Sequence, residues 1–458
     1  MSAITLLLFT FAWCAPAAAE QERGFYVNEP EFGTSVYILE AGQGHLDTVV
    51  LVHGLGDLGS SDWNDVIPVL SKYYHVVAID LPGFAKSEKG NHLYSPTRYA
   101  HFLKWVVDQY SSYRNQRPIT MIGHSMGGAI ALRYASMYPQ TMKKLVLVDA
   151  AGILHRSAYA SASVRHARRR VSLLDIISTK PKEIGKWLGD LIISSENISL
   201  PVDEVLSSSA MRALFLRSNP SVVAALALLQ EDFSLAIDEM HVPTSILWGE
   251  DDGVAPLRTG KLLYARLNGS SLDIISDAGH VPMKEQTSAF NRLLLSRLAQ
   301  KVPDKRQTHE SRMDAQNIEC VSQKDMRISG AYQNIVINNC TGVKIEHVTA
   351  RQIHIENSEV DIYHSLIRSS QTGLVVINST VSATALDIDA ETGISASASK
   401  LDLAGVTITS NKEAMVASGK KRSSALISVS KFQGAYMHGI YKFTNNSDSL
   451  DPLASKQY

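Results

Sequence analysis

The 458-residue chain lacks several features that mark whole functional classes. It has no excess of one charge: 44 Lys and Arg stand against 45 Asp and Glu, a formal net charge of −1. Nothing in that balance asks for a nucleic-acid partner or an acidic membrane surface. The single basic cluster, Arg165–Arg170, reads as the solvated face of a helix, with carboxylate or phosphate binding by Arg168–Arg170 as the alternative. Cysteine is scarce, only Cys14, Cys320 and Cys340, and neither an H-E-x-x-H pattern nor a Cys/His cluster occurs, so no metal is expected. A phosphate-cradling glycine loop is also missing, and no cofactor is expected. No Trp lies beyond Trp248, and residues 364–431 contain no Phe, Tyr or Trp. Side chains of that kind form the usual sugar-stacking platforms. Proline is absent between Pro303 and Pro452.

The N-terminus reads as an export signal. An apolar stretch from Ile4 to Trp13 is followed by small residues to Ala19 and then by Glu20-Gln21-Glu22-Arg23. The stretch is too short to anchor in a bilayer. Cleavage after Ala19, although no Lys or Arg precedes the stretch, removes Cys14 and leaves Cys320 and Cys340. The expected location is secreted or periplasmic, where one disulfide is compatible with the compartment.

A chain of this length implies more than one domain. From about residue 25 to 300, short apolar runs alternate with helical stretches. Thr48–Val52, Val76–Ile79, Ile119–Ile122, Leu145–Val148, Thr244–Trp248 and Leu272–Ile275 read as strands covered on both faces. Thr97–Tyr113, Gly127–Met137 and Leu257–Leu267 read as helices between them. That alternation predicts an α/β fold with a mostly parallel sheet. The insertion at 152–242 is helix-rich and too long for a loop, so it is expected to form a cap over one edge of the sheet. Residues 301–317 are polar and read as a linker.

Beyond the linker, from 318 to 458, the texture changes. Short alternating runs such as Ile335–Ile337, Ile353–Ile355, Leu374–Ile377 and Leu401–Leu403 recur, with Asn, Ser, Thr and Gly between them. Close spacing with polar turns predicts an all-β domain, a right-handed parallel β-helix in preference to a β-sandwich. The separation of Cys320 and Cys340 is about one coil of such a solenoid, so a disulfide would staple adjacent rungs.

The chemistry centres on Gly123-His124-Ser125-Met126-Gly127, set between a predicted strand and a predicted helix. A G-x-S-x-G sequence in that context is a nucleophile elbow: the turn is strained, flanking side chains would clash, and glycine removes them. The elbow also aims the Met126 amide at a developing oxyanion. A serine nucleophile needs a base and an acid later in the chain. Gly249-Glu-Asp-Asp252 follows one strand and Ala278-Gly-His280 follows the next, so His280 is the expected base and Asp252 the expected acid. Asp251 and Asp149 remain alternatives for the acid. His53 is read as shaping its own loop, Asp80 as ordering its turn, and His124 as lining the pocket or packing.

Together, His53-Gly54-Leu55-Gly56, Asp80-Leu-Pro-Gly-Phe84 with Ser87, the elbow, Gly249-Glu-Asp-Asp252 and Gly279-His280 make residues 25–300 resemble the lid-bearing α/β-hydrolases. That family includes prolyl iminopeptidases, carbon–carbon bond hydrolases, esterases and haloperoxidases. The resemblance implies that Asp252 is the triad acid and that the Leu55 amide is the second oxyanion donor. It implies an acyl-transferring hydrolase acting on a small-molecule ester or acyl substrate, with amide or carbon–carbon cleavage using the same residues. An iminopeptidase needs an acidic subsite, for which the cap offers Asp203, Glu204, Glu231 and Asp232. Ala224, Leu226, Leu228 and Leu229 offer an apolar face to the cleft or to the core. The C-terminal domain is read as a structural or oligomerising appendage, with cell-envelope or glycan contact as the alternative of another class.

Overall fold

The computed structural model describes residues 22–154, 202–300, 316–417, 423–433, 436–438 and 440–444. The expected N-terminal signal, the Arg165–Arg170 cluster and most of the expected 301–317 linker lie outside the described residues. The first domain is built on an eight-stranded sheet in the order β1-β2-β4-β3-β5-β6-β7-β8. Its strands are β1 (Arg23–Asn28), β2 (Ser35–Ala41), β3 (Thr48–Val52), β4 (His75–Ile79), β5 (Ile119–His124), β6 (Met142–Val148), β7 (Thr244–Gly249) and β8 (Ser270–Ile275). β1 and β2 run antiparallel, and β2 runs antiparallel to β4; the other neighbours are parallel. The six expected strands are all present, some longer than the sequence indicated. β1 and β2 were not foreseen: β1 is a largely exposed edge strand, and β2 alternates its buried Val36 and Ile38 with half-buried side chains rather than forming a continuous buried run.

The continuous apolar runs are explained by a core on each face of this sheet. Val50 and Val52 enter one cluster and Val49 and Leu51 the other; Leu145 and Leu147 part from Val146 and Val148 in the same way. Period-two alternation with both faces covered leaves no polar side on these strands. The helices are α1 (Ile67–Leu70), α2 (Pro96–Tyr110), α3 (Met126–Met137), α4 (Val202–Ser207), α5 (Ser209–Leu216), α6 (Pro220–Gln230), α7 (Ser234–Asp238), α8 (Leu257–Arg266), α9 (Pro282–Glu285) and α10 (Thr287–Ala299). Ser95 caps α2 by accepting the Arg98 N–H, with Pro96 at the first helical position.

Helices α4 to α7 are the described part of the insertion between β6 and β7, and they close over the domain as a helical cap. The cap is seated by buried Arg212, whose guanidinium donates to the Leu206 carbonyl and to the Asn91 carbonyl and side-chain oxygen. Of the apolar face expected on α6, Ala224 and Leu228 are buried in the main apolar cluster with Val223 and Ala227, whereas Leu226 and Leu229 are half-buried.

The second domain is a parallel β-solenoid, which excludes the sandwich alternative. Among the described residues it forms an eleven-stranded sheet. The strands are β9 (Ile318–Val321), β10 (Arg327–Asn338), β11 (Val343–Glu356), β12 (Glu359–Ile377), β13 (Thr380–Ser397), β14 (Lys400–Ala404), β15 (Thr407–Ala417), β16 (Ser423–Ser428), β17 (Lys431–Gln433), β18 (Tyr436–His438) and β19 (Ile440–Thr444). Register stacks like on like: Ile335, Ile353, Leu374, Ile394 and Met415 form one inward column, and Ile345, Ile362, Ala383, Leu403 and Ile427 another. Corners fall at Asn339, Asn357, Asn378 and Ala398, all with left-handed φ near 50°. Asn tolerates that conformation better than most side chains. The residue after each corner builds a ladder: the Ser358, Ser379, Ser399 and Ser423 hydroxyls accept the N–H of Cys340, Ser358, Ser379 and Ser399 respectively. Each buried corner amide is thus satisfied from the next rung. Cys320 and Cys340 are joined by a disulfide.

The solenoid docks on α8. Arg258 donates to Thr384 Oγ1 at 2.6 Å, to Asp402 Oδ2 at 2.6 Å, and to the Ala383 and Asp402 carbonyls. Arg266, two turns on, donates to Asp387 Oδ1 at 2.6 Å and to the Gly405 carbonyl. Ala404 and Val429 of the solenoid are buried in the apolar cluster of the first domain, so the two cores are continuous at this seam.

Candidate active site

Three loops at the carboxyl ends of β5, β7 and β8 bring Ser125, Asp252 and His280 together. Ser125 sits between β5 and α3 with φ 53° and ψ −122°, a conformation costly for a residue with a side chain. It is held by its neighbours: its N–H donates to the Val148 carbonyl at 3.0 Å, and its carbonyl accepts the Gly128 and Ala151 N–H groups. A Cβ on Gly123 would lie 2.2 Å from the Gly127 carbonyl oxygen, and one on Gly127 would lie 2.4 Å from the Val52 and His53 carbonyls. Only glycine permits this crossing of β5, α3 and the end of β3.

His280 Nε2 lies 2.9 Å from Ser125 Oγ, and its Nδ1 lies 2.9 Å from Asp252 Oδ2. These partners fix the tautomer: Nδ1–H donates to the carboxylate, and Nε2 accepts the serine O–H. The Asp252 side chain is wholly buried, and its Oδ1 accepts the Val254 and Ala255 N–H groups at 2.7 and 2.9 Å. Asp251, beside it, is exposed, and its N–H is tied to the Ala278 carbonyl. The Asp252 and His280 loops abut so closely that a Cβ on Gly249 would fall 2.0 Å from the Gly279 carbonyl. Glu285 stiffens the base loop by accepting the Gly279 and Val281 N–H groups.

The residues flanking this row have distinct tasks. His53 is buried; its Nδ1–H donates to the Gly54 carbonyl at 2.7 Å while Nε2 accepts the Leu81 N–H at 2.9 Å. Burial lowers its pKa, so the ring is a neutral bridge that shapes the loop carrying Leu55. That loop lies beside Ser125: a Cβ on Gly54 would sit 2.9 Å from the Ser125 Cβ. The Met126 amide opens α3, where the helix N-terminus favours negative charge. Asp80 orders two loops by accepting the Ser60 and Lys86 N–H groups.

His124 donates from Nε2 to the His280 carbonyl at 2.7 Å, and burial, with the nearby His280 ring, lowers its pKa to about 4. It therefore anchors the backbone of the base, a role that its position next to Ser125 hinted at without specifying. Glu231 is no subsite for an amine: with side chain fully buried, it accepts the Arg133 guanidinium at 2.9 Å and the Thr97 hydroxyl at 2.6 Å. Asp203 accepts from Gln230, and Asp232 accepts the Ser234 N–H and hydroxyl. The Arg133–Glu231 pair was not legible in the sequence, since its members are far apart in the chain. Asp149, with left-handed φ 44°, is fully buried at the end of β6.

Comparison with known proteins bears on this domain. Residues 47–173 match a family model described as alpha/beta hydrolase fold. An uncharacterised protein of Mycobacterium tuberculosis is 28% identical over 252 residues, covering 53% of this chain and 72% of its own. A 2-hydroxy-6-oxononadienedioate/2-hydroxy-6-oxononatrienedioate hydrolase of Pseudomonas sp. is 29% identical over 296 residues, covering 60% of this chain and 95% of its own. Among solved structures, an esterase from Exiguobacterium antarcticum aligns with a TM-score of 0.45 at 21% identity, over 61% of this chain and 100% of its own.

Proposed function

We propose, for a chain whose first domain belongs to the α/β-hydrolase fold family, that it is an exported serine hydrolase working through an acyl-enzyme, with a carboxylic ester as substrate. The observation that carries the reading is the hydrogen-bonded row Ser125–His280–Asp252 at the lip of the sheet. His280 takes the Ser125 proton as Oγ attacks the substrate carbonyl carbon, and the buried Asp252 carboxylate stabilises the imidazolium. The Leu55 and Met126 amides receive the oxyanion. His280 returns its proton to the departing alcohol, and water, activated by the same base, releases the acid and restores Ser125. The apolar stretch at 4–13 and the Cys320–Cys340 disulfide support export to an oxidising compartment. The solenoid's proposed part is structural, supported by the extent of its seam on α8; retention of the full chain on cell-wall material would favour glycan contact instead.

Hydrolysis of a panel of p-nitrophenyl esters, from acetyl to long acyl, by the wild type and Ser125→Ala tests the proposal. Turnover abolished by the substitution supports it, and the chain-length optimum sizes the pocket. Turnover that survives in Ser125→Ala refutes the nucleophile. The names of relatives such as the Pseudomonas hydrolase favour one second reading, carbon–carbon bond cleavage by the same residues. Turnover of a 2-hydroxy-6-oxo-dienoate with no ester activity would select it.

A further inference from the structure

The carboxyl that ends β6 lies against the acid of the relay. Asp149 is fully buried, and its Oδ1 accepts the Gly249 N–H at 2.9 Å. Among the described residues no N–H or O–H donor reaches its enclosed Oδ2, and the carboxyl lies beside that of Asp252. Two ionised carboxylates in contact, shut off from water, repel strongly; such a contact is stable when one proton lies between them. The donors decide which group holds it. Asp252 receives the Val254 and Ala255 amides and His280 Nδ1–H, whereas Asp149 receives one amide. Three donors stabilise the charge on Asp252, so the proton belongs to Asp149.

We propose that Asp149 is a positioning residue that stays protonated and donates a hydrogen bond to the Asp252 carboxylate, so the acid arm is a carboxyl pair carrying one negative charge. The inference rests on Asp252 being the acid of the proposed relay. Burial first, then the Asp252 charge and contact, raise the Asp149 carboxyl well above the usual range, against the Gly249 amide, with Glu285 adding to the rise. The charged and titratable groups facing the pair are His280 on the β8 loop, Glu285 on α9 and His124 at the end of β5. A neutral donor holds Asp252 in the rotamer that meets His280 without adding a second charge. It also accounts for a strained aspartate at a position where a plain turn residue would satisfy the backbone.

Two variants in the full chain test this. Asp149→Asn keeps a neutral donor of the same shape. The acid limb of its kcat/KM profile, on whichever p-nitrophenyl ester turns over fastest, should superimpose on that of wild type. Asp149→Val removes the donor, and kcat should fall on the order of 10- to 100-fold, the loss of one hydrogen bond to a charged group. The infrared difference between the Ser125→Ala protein and Ser125→Ala/Asp149→Asn at neutral pH should show a protonated carboxylic acid, a signature that needs no turnover. An acid limb moved to lower pH in Asp149→Asn would mean that an anion had been removed from beside His280, and would overturn the proposal. So would a missing carboxylic-acid band. Ester turnover surviving in Ser125→Ala would instead refute the catalytic reading and leave the carboxyl pair standing.

Discussion

Replacing Glu231 with alanine should unfold the first domain far more readily than a surface change would. Arg133 lies on α3, the helix that begins after Ser125, and Glu231 follows α6 of the cap; both side chains are fully buried. Glu231 Oε1 accepts Arg133 Nε at 2.9 Å and Thr97 Oγ1 at 2.6 Å. In Glu231→Ala the guanidinium keeps the Asp232 carbonyl and the Phe233 ring, whose centroid lies 5.1 Å away. It loses the Glu231 carboxylate in a dry site, which costs about 3–5 kcal/mol, including the stranded Thr97 hydroxyl. For a domain of this size that is a fall in Tm on the order of 10 °C. Urea unfolding followed by tryptophan fluorescence isolates the effect, because no Trp lies beyond Trp248 and the solenoid is silent. The double variant Arg133→Met/Glu231→Leu should recover most of the loss, since the two opposed buried charges leave together. A Glu231→Ala cost below about 1 kcal/mol, or a double variant as weak as the single, would refute the pair as the anchor of the cap.

Other outcomes follow from the same geometry. His124 ionises near pH 6.5 when unfolded and near 4 when folded, so between those values the unfolded state binds more protons. Its contribution is intact above pH 6.5 and about 3 kcal/mol is lost on descending to pH 4; burial of His53 acts in the same direction. Asp149, with its raised pKa, has the opposite sign: it favours the folded state at low pH and loses that advantage as pH rises. His124→Asn, which retains a donor for the His280 carbonyl, should show a flatter urea midpoint between pH 6.5 and 4, and parallel slopes would contradict this. Arg258→Ala should loosen the seam by about 2–3 kcal/mol and split thermal unfolding into two transitions. A calorimetric trace superimposable on that of wild type would show that the seam does not rest on Arg258.

The elements that read clearly in the sequence were those governed by local rules. Thr48–Val52 and Thr244–Trp248 are legible because strands buried on both faces must be apolar throughout. The elbow is legible because Gly123 and Gly127 answer a steric demand within five residues. The solenoid is legible because stacked rungs need inward apolar residues at short, repeated spacing, and Asn-Ser at its corners meets both a left-handed φ and an unsatisfied amide. The edge strand β1 left little trace, since it is mostly exposed and is held by its pairing with β2. The family resemblance favoured Asp252 over Asp251, but only the loops place one buried against His280 and the other in solvent. The same holds for His124 on the His280 carbonyl, for Glu231 spent on Arg133, for Arg258 and Arg266 in the solenoid seam, and for Asp149 against Asp252. Each joins residues distant in the chain. A charge or hydrogen bond acquires its energy from burial and from its partner, and both are properties of the folded chain rather than of any segment of it.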